Sequence, residues 1–389
     1  MKISRLDVYP LSIAYVRNET SSIINRGGVS DVVVRLTTDD GLVGWGECVA
    51  PGDTESIVAA ARAAEPFLLG RDPWDQEAIF RDYLVAGNWQ FQAMTGNFAF
   101  AGIDMALWDI CGKAVGQPLW RLFGGALRQS VDYFFYLEWG EPDAVAAQGA
   151  AGRRLGYSVF YLKVGIDAVR EEAMLQALRD AIGPEGRIRI DANQSWTLPE
   201  AARLLARWDG LVGLDFAEAP VPIDPVEGMI ELKGRVAVPL CANEGLWREA
   251  DAVRIIQSRA ADYLCLGPSW VGSLRRFQSV ARAAHLQGQQ VCKHTHGEHG
   301  IAAAASQHLL LTLPNACQGH QQTAQMMRDD ILVERIPIMD GPSWGLIEGP
   351  GLGIEIDEAK LQMYHEAYLR DGEYVTWGTG FKPRRENEA

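Results

Sequence analysis

The sequence predicts an α/β protein, a closed barrel of parallel strands alternating with helices, preceded by a smaller α+β region. Three observations lead there. Short apolar runs recur, each ending in polar or charged residues and followed by a helix-like segment: VFYLKVG, RIRIDANQSW, LDFAEAPV, VPLCANEG, DYLCLGPS, QQVCKHTHGE and NACQGHQ. The residues closing these runs, Lys163, Asp191, Glu218, Glu244, Gly267 and His294, follow one another at intervals of 23 to 28, the length of one strand–helix unit of a parallel sheet. With VDYFFYLEW as the opening strand the units number eight, enough to close a barrel. A doubly wound open sheet is the alternative. It lacks a glycine-rich phosphate loop after its first strand, and chemistry spread over many strand ends is the habit of a barrel.

The elements follow in order. ISRLDVYPLSI and VSDVVVRLTTDDGLVGWGEC are alternating or β-branched, and Asp40-Gly41 is a hairpin signal. Between them, RNETSSIINRGG reads as a long exposed loop, with Arg17–Gly28 as a mobile lid. AFAGIDMALWDICGKAVG is rich in small residues and suits close helix packing, and Gly124-Gly125 marks a boundary. The division is thus an α+β capping domain over 1–125, a (β/α) barrel over 126–328, and a segment over 329–389 that completes the barrel and returns to the cap. Thr197–Glu200 and Asp224–Glu227 have capping-box spacing with proline in the first turn.

The 389 residues are 48% hydrophobic and 22% charged, as in ordinary globular proteins. No apolar run of 18 residues predicts a membrane span, and Arg5, Asp7 and Pro10 interrupt any N-terminal signal, so the cytoplasm is the expected compartment. Six scattered cysteines without a C-x-x-C pair read as buried thiols. A net charge of −14 repels nucleic acid. An acidic chain that handles an anionic substrate needs a local positive centre, which a divalent cation would supply.

Asp191, Glu218 and Glu244 close consecutive strands and would meet at one mouth of a barrel. Three converging carboxylates repel one another unless a hard divalent cation lies between them, with Mg2+ suiting an all-oxygen set. Singly, each reads as a surface acid or a helix cap; in register, they read as a metal site. Lys163 closes the preceding strand and is the candidate general base, since positive charge and desolvation would ease loss of its proton. Five of the seven histidines fall between strands seven and eight. His294 and His296 share a parity there, with His294 the first choice for acid/base partner and His296 in reserve.

These residues resemble the enolase superfamily, in its mandelate racemase and muconate lactonizing enzyme branches, over almost the whole chain. DANQSW, FAEAP and VPLCANEG are similar to the three successive ligand motifs, and PGLGIEIDEAKL is similar to the family's C-terminal segment. The resemblance implies a modified (β/α)7β TIM-type barrel with an N-terminal α+β capping domain, Mg2+ on Asp191, Glu218 and Glu244, and self-association as a homo-oligomer. The family's K-x-K pair matches FYLKVG, placing Lys163 on the base and Tyr161 on the first lysine. Gly267 stands where relatives carry a second lysine or a histidine-supporting aspartate. VCKHTHGEHGI resembles the histidine segment of the mandelate racemase and glucarate dehydratase groups, which puts His294 on the catalytic position and leaves it to be oriented by another group.

The expected chemistry is removal of the α-proton of a small carboxylate through an enediolate, followed by β-elimination of water as in acid-sugar dehydratases. Racemisation or epimerisation of a hydroxy acid or amino-acid derivative is the alternative, and a non-catalytic metal- and acid-binding relative is a third. Candidate substrate contacts are Asn193, Arg26, Glu138, Trp139 and Trp270. An aromatic rim of Tyr136, Trp139, Trp270, Trp89 and Phe91 favours a less polar or cationic substrate.

Overall fold

A computed structural model describes residues 1–50, 52–87 and 94–374, and the backbone of 381–382. Trp89 and Phe91 of the expected rim lie outside the described residues. Strands β1 (Ile3–Thr20), β2 (Asn25–Thr38) and β3 (Val43–Cys48) form an antiparallel meander. Gly41 makes the β2–β3 turn at φ +89°, which an L side chain rarely adopts. Helix Met94–Ala114 packs on β3 so closely that a Cβ on Gly46 would stand 1.8 Å from the carbonyl oxygen of Gly102. The small residues of that helix make the approach feasible.

The lid expected over Arg17–Gly28 is instead mostly strand. The β1–β2 ladder resumes at Glu19↔Arg26 and Thr20↔Asn25 after an irregularity beyond Ala14, so only residues 21–24 are a turn. Polar side chains did not prevent pairing, because the charged ones on facing strands, Glu19 and Arg26, turn inward together. Glu19 and Arg26 are buried and form an ion pair at 2.7 Å.

The barrel strands are β5 (Phe135–Leu137), β6 (Val159–Lys163), β7 (Arg187–Asp191), β8 (Leu214–Glu218), β9 (Leu240–Ala242), β10 (Tyr263–Leu266) and β11 (Gln290–Lys293). All pair in parallel and in sequence order. Residues 316–321 close the ring. Cys317 and Gln321 donate to the carbonyls of Val291 and Lys293 on one side, and Phe134 donates to that of His320 on the other. The eighth position is therefore an irregular strand upstream of residue 329. The opening strand is also shorter than VDYFFYLEW, because β4 (Ser130–Asp132) turns away to pair antiparallel with β12 (Ser343–Gly345). Thr197 does precede helix Leu198–Val212, but its side chain makes no capping bond, and the helix after Asp224 starts only at Glu227. All six cysteines are buried and free.

Cap and barrel are tied at named points. Glu47 on β3 accepts from the backbone N–H groups of His299 (2.7 Å) and Ala302 (2.9 Å), at the start of barrel helix Gly300–Leu310. Asn97 of the cap helix donates to the carbonyls of Trp247 and Trp270 at 2.9 and 2.8 Å. Helix Glu358–Asp371 returns to β1, where His365 Nδ1 meets the Pro10 carbonyl at 2.7 Å. Among the described residues no helix is long and apolar enough to cross a membrane.

Candidate active site

Parallel register brings the chemistry together. Lys163 pairs laterally with Asp191, and Asp191 with Glu218, at the last positions of β6, β7 and β8. Glu244 follows two residues after β9. All lie at the C-terminal ends of the strands, the face on which barrel active sites are built.

The groups are joined by short hydrogen bonds. Lys163 Nζ donates to Asp191 Oδ2 at 2.6 Å and to Asn193 Oδ1 at 3.1 Å. Tyr161, stacked on Phe134 at 4.5 Å, donates its hydroxyl to the same Asp191 oxygen at 2.6 Å. Asn193 also donates Nδ2 to Glu244 Oε1 at 2.9 Å, so it links Lys163 to Glu244. It does so from a left-handed backbone, φ +46°, which asparagine tolerates better than most residues. Gln321, on the closing segment, donates Nε2 to both oxygens of Glu218 at 2.9 and 2.7 Å. Sequence reasoning missed Gln321. The run NACQGHQ marked its strand, but nothing in the spacing said which side chain would turn inward.

The electrostatics are those of a site short of positive charge. Burial, then Asp191, raise Glu218 well above the usual carboxylate range, and the same causes lift Glu244 to about 7. Burial would lower the Lys163 ammonium, but the Asp191 and Glu218 carboxylates outweigh it and raise it instead. The depression expected from the sequence needs a cation beside Lys163, and the side chains alone supply anions. Glu244 Oε2 is buried without a hydrogen-bond partner among the described residues. Three buried, hard oxygen donors, one of them unpartnered, fit a small divalent cation. Lys163 on Asp191 and Asn193 on Glu244 fix the directions in which two of these carboxylates point.

His294 and His296 lie just beyond the end of β11 and not on it, so strand parity does not place them; their rings stand 4.3 Å apart, both against Trp270. Burial lowers both imidazoles, His296 to about 3. Trp270 is buried, stacked on Trp247 at 4.1 Å, and its Nε1 donates to His294 Nδ1 at 3.0 Å. It is thus a support for the histidine, and the expected substrate-lining role does not suit it. Trp139 is half-buried and occupied, with Nε1 on Glu171 at 3.3 Å and Arg170 over its ring. Glu138 is half-buried, its backbone N–H held by Gln148 at 2.9 Å. Tyr136 is buried, its hydroxyl without a hydrogen-bond partner among the described residues. Arg26 is not available to an anion: Glu19 neutralises it, and its Nη2 donates to the His296 carbonyl. The β1–β2 turn reaches the mouth itself, where Ser22 donates to the Ala192 carbonyl at 3.1 Å.

Comparison with known proteins supports the family and the fold. Residues 15–124 match the mandelate racemase/muconate lactonizing enzyme N-terminal domain, and residues 144–360 the enolase C-terminal domain-like family. The D-galactarolactone cycloisomerase of Agrobacterium fabrum is 31% identical over 351 residues, covering 85% of this chain and 90% of its own. The N-succinyl-L-Arg/Lys racemase of Bacillus cereus is 28% identical over 371 residues, with 93% and 97% coverage. Its crystal structure superposes with a TM-score of 0.87 at 26% identity, over 94% of this chain and 98% of that one. An enolase from Thermobispora bispora, solved with magnesium and formate, gives 0.87 at 27% identity, with 96% and 94% coverage. Other relatives include epimerases and dehydratases.

Proposed function

We propose a function from one premise: the chain belongs to the enolase superfamily, among the mandelate racemase and muconate lactonizing enzyme relatives, and is an enzyme of that group. The function is Mg2+-dependent removal of the α-proton of a small carboxylate, followed by β-elimination of water. The observation that carries it is the Lys163–Asp191–Asn193–Glu244 network beside Glu218, a base candidate wired to a hard-ligand set.

Asp191, Glu218 and Glu244 would hold Mg2+. When bound, the cation supplies positive charge where the substrate carboxylate becomes an enediolate. Lys163 must release Asp191 Oδ2 and shed its proton before Nζ can take the α-hydrogen. Tyr161 keeps its own hydrogen bond to that carboxylate, so Asp191 stays oriented as the lysine moves. Asn193 holds Glu244, and Gln321 holds Glu218. The Ser22 turn over Ala192 helps to exclude water from the mouth.

Dehydration is favoured by the strand-seven histidine segment and by relatives such as the arabinonate dehydratase of Saccharolobus solfataricus. Epimerisation is the second reading, suggested by the racemase and epimerase relatives. It is weakened by Gly267, which offers no second base at the end of β10. Incubating a library of hydroxy and N-acylamino acids in D2O, with and without Mg2+, tests the reading by NMR. Metal-dependent α-exchange with loss of water is the expected result, and Lys163→Ala abolishes it. Exchange that survives Lys163→Ala would refute the base. Exchange without loss of water would select the epimerase.

A further inference from the structure

Gly267 offers no side chain at the end of β10, and a Cβ there would make a tight approach of 3.3 Å to the His294 carbonyl oxygen. The chain instead enters the single helical turn Pro268–Val271, which carries Trp270 back to His294. An indole nitrogen can only donate. At 3.0 Å from Trp270 Nε1, His294 Nδ1 must therefore be the acceptor, and the neutral ring carries its proton on Nε2. A proton on Nδ1 would oppose two N–H groups and leave a buried donor unsatisfied.

Trp270 has little freedom to turn away. It is 2% exposed, stacked between Trp247 and His296, and its carbonyl is held by Asn97 from the cap. The charged groups acting on His294 are Lys163, Lys293 and Arg26, all positive, with His296 beside it. Glu298 is taken by Lys293 in an ion pair. Burial and these neighbours all oppose a second proton on the ring.

Resting on the proposed α-proton chemistry, we infer that Trp270 is a positioning residue that locks His294 as an Nε2–H hydrogen-bond donor, leaving Lys163 to handle protons. The substrate is then an acid whose α-hydrogen and β-hydroxyl lie on one face, that of Lys163. Nζ takes the α-hydrogen as a proton while the C–H electron pair enters the enediolate. That pair then forms the Cα–Cβ double bond as the Cβ–O bond breaks, and the departing oxygen takes the proton from the Lys163 ammonium and leaves as water. His294 contributes a hydrogen bond and no proton.

The test needs no substrate in its first arm. In protein labelled with 15N-histidine, the His294 ring, assigned by its loss in His294→Asn, shows a bare Nδ1 and a protonated Nε2 from about pH 5 to about pH 9. Trp270→Phe keeps a stacking ring but removes the donor, and His294 there shows tautomer exchange or titration. A protonated Nδ1 in the wild type overturns the inference, as does an unchanged spectrum in a folded Trp270→Phe. The second arm is stereochemical: recovered substrate acquires α-deuterium in D2O with retention only. Inversion overturns the one-face reaction while sparing the metal and Lys163. Complete absence of exchange counts against the proposed function and leaves the tautomer result standing.

Discussion

Replacing Gln321 by leucine removes one amide and keeps the bulk of a buried side chain. The amide nitrogen spans both oxygens of Glu218, at 2.9 and 2.7 Å, and the two residues are 3% and 1% exposed. Solvent screening is therefore slight. A hydrogen bond to a charged group contributes about 1.5–3 kcal/mol. The two contacts share one nitrogen, so they count as a single charge-assisted donor. At 1.36 kcal/mol per decade, Mg2+ dissociation constants rise about 10- to 150-fold, in line with the cost of losing a ligand's hydrogen-bonding partner. Isothermal titration with Mg2+ measures this directly, and excess metal restores α-exchange. An unchanged dissociation constant in a folded variant would refute the reasoning, because Gln321 would then not be orienting a ligand.

Other outcomes follow from the same coordinates. Glu244 is raised from 4.5 to about 7, so the folded state holds a proton that the unfolded chain gives up. Its contribution to stability is full below 4.5 and declines as pH rises to about 7, where Mg2+ replaces the proton. Thermal melts in EDTA and in Mg2+ diverge as pH rises through that window, and Glu244→Gln narrows the divergence. Glu19→Ala strands the Arg26 guanidinium and lowers stability by about 3–5 kcal/mol in urea titrations. If Arg26 were a substrate anchor, the loss would fall on KM with stability unchanged. Gly46→Ala drives a methyl into the Gly102 carbonyl and costs about 3 kcal/mol or more, read as a fall in Tm.

The barrel was legible because parallel strands impose a beat, and the beat placed Lys163, Asp191 and Glu218 in one register. The same spacing puts Glu244 at the close of the next strand, whereas β9 ends two residues short of it. What escaped notice depended on long-range pairing. RNETSSIINRGG looked like a loop because Glu19 and Arg26 are charged, yet across a hairpin they neutralise each other and can be buried. The residue that orients His294 is left open by the sequence, because Gly267 stands where relatives carry the supporting aspartate. It stands three residues later, at a position set by a one-turn helix that a four-residue string hardly signals. Gln321 belongs to a strand too irregular for alternation to assign a face.

The carboxylate of Glu47 bears on how such proteins could be recombined. It sits on a cap strand but satisfies the first amides of the barrel helix that follows the histidine segment. The helix thus receives its N-terminal acceptor from the other domain. A chimera that joins this barrel to a foreign cap would leave two buried amides without an acceptor unless an acid is grafted at the same point. The histidines a few residues upstream would then lose an anchor, although no active-site residue had been exchanged. Substrate preference in hybrids would drift for reasons invisible in a comparison of their binding residues.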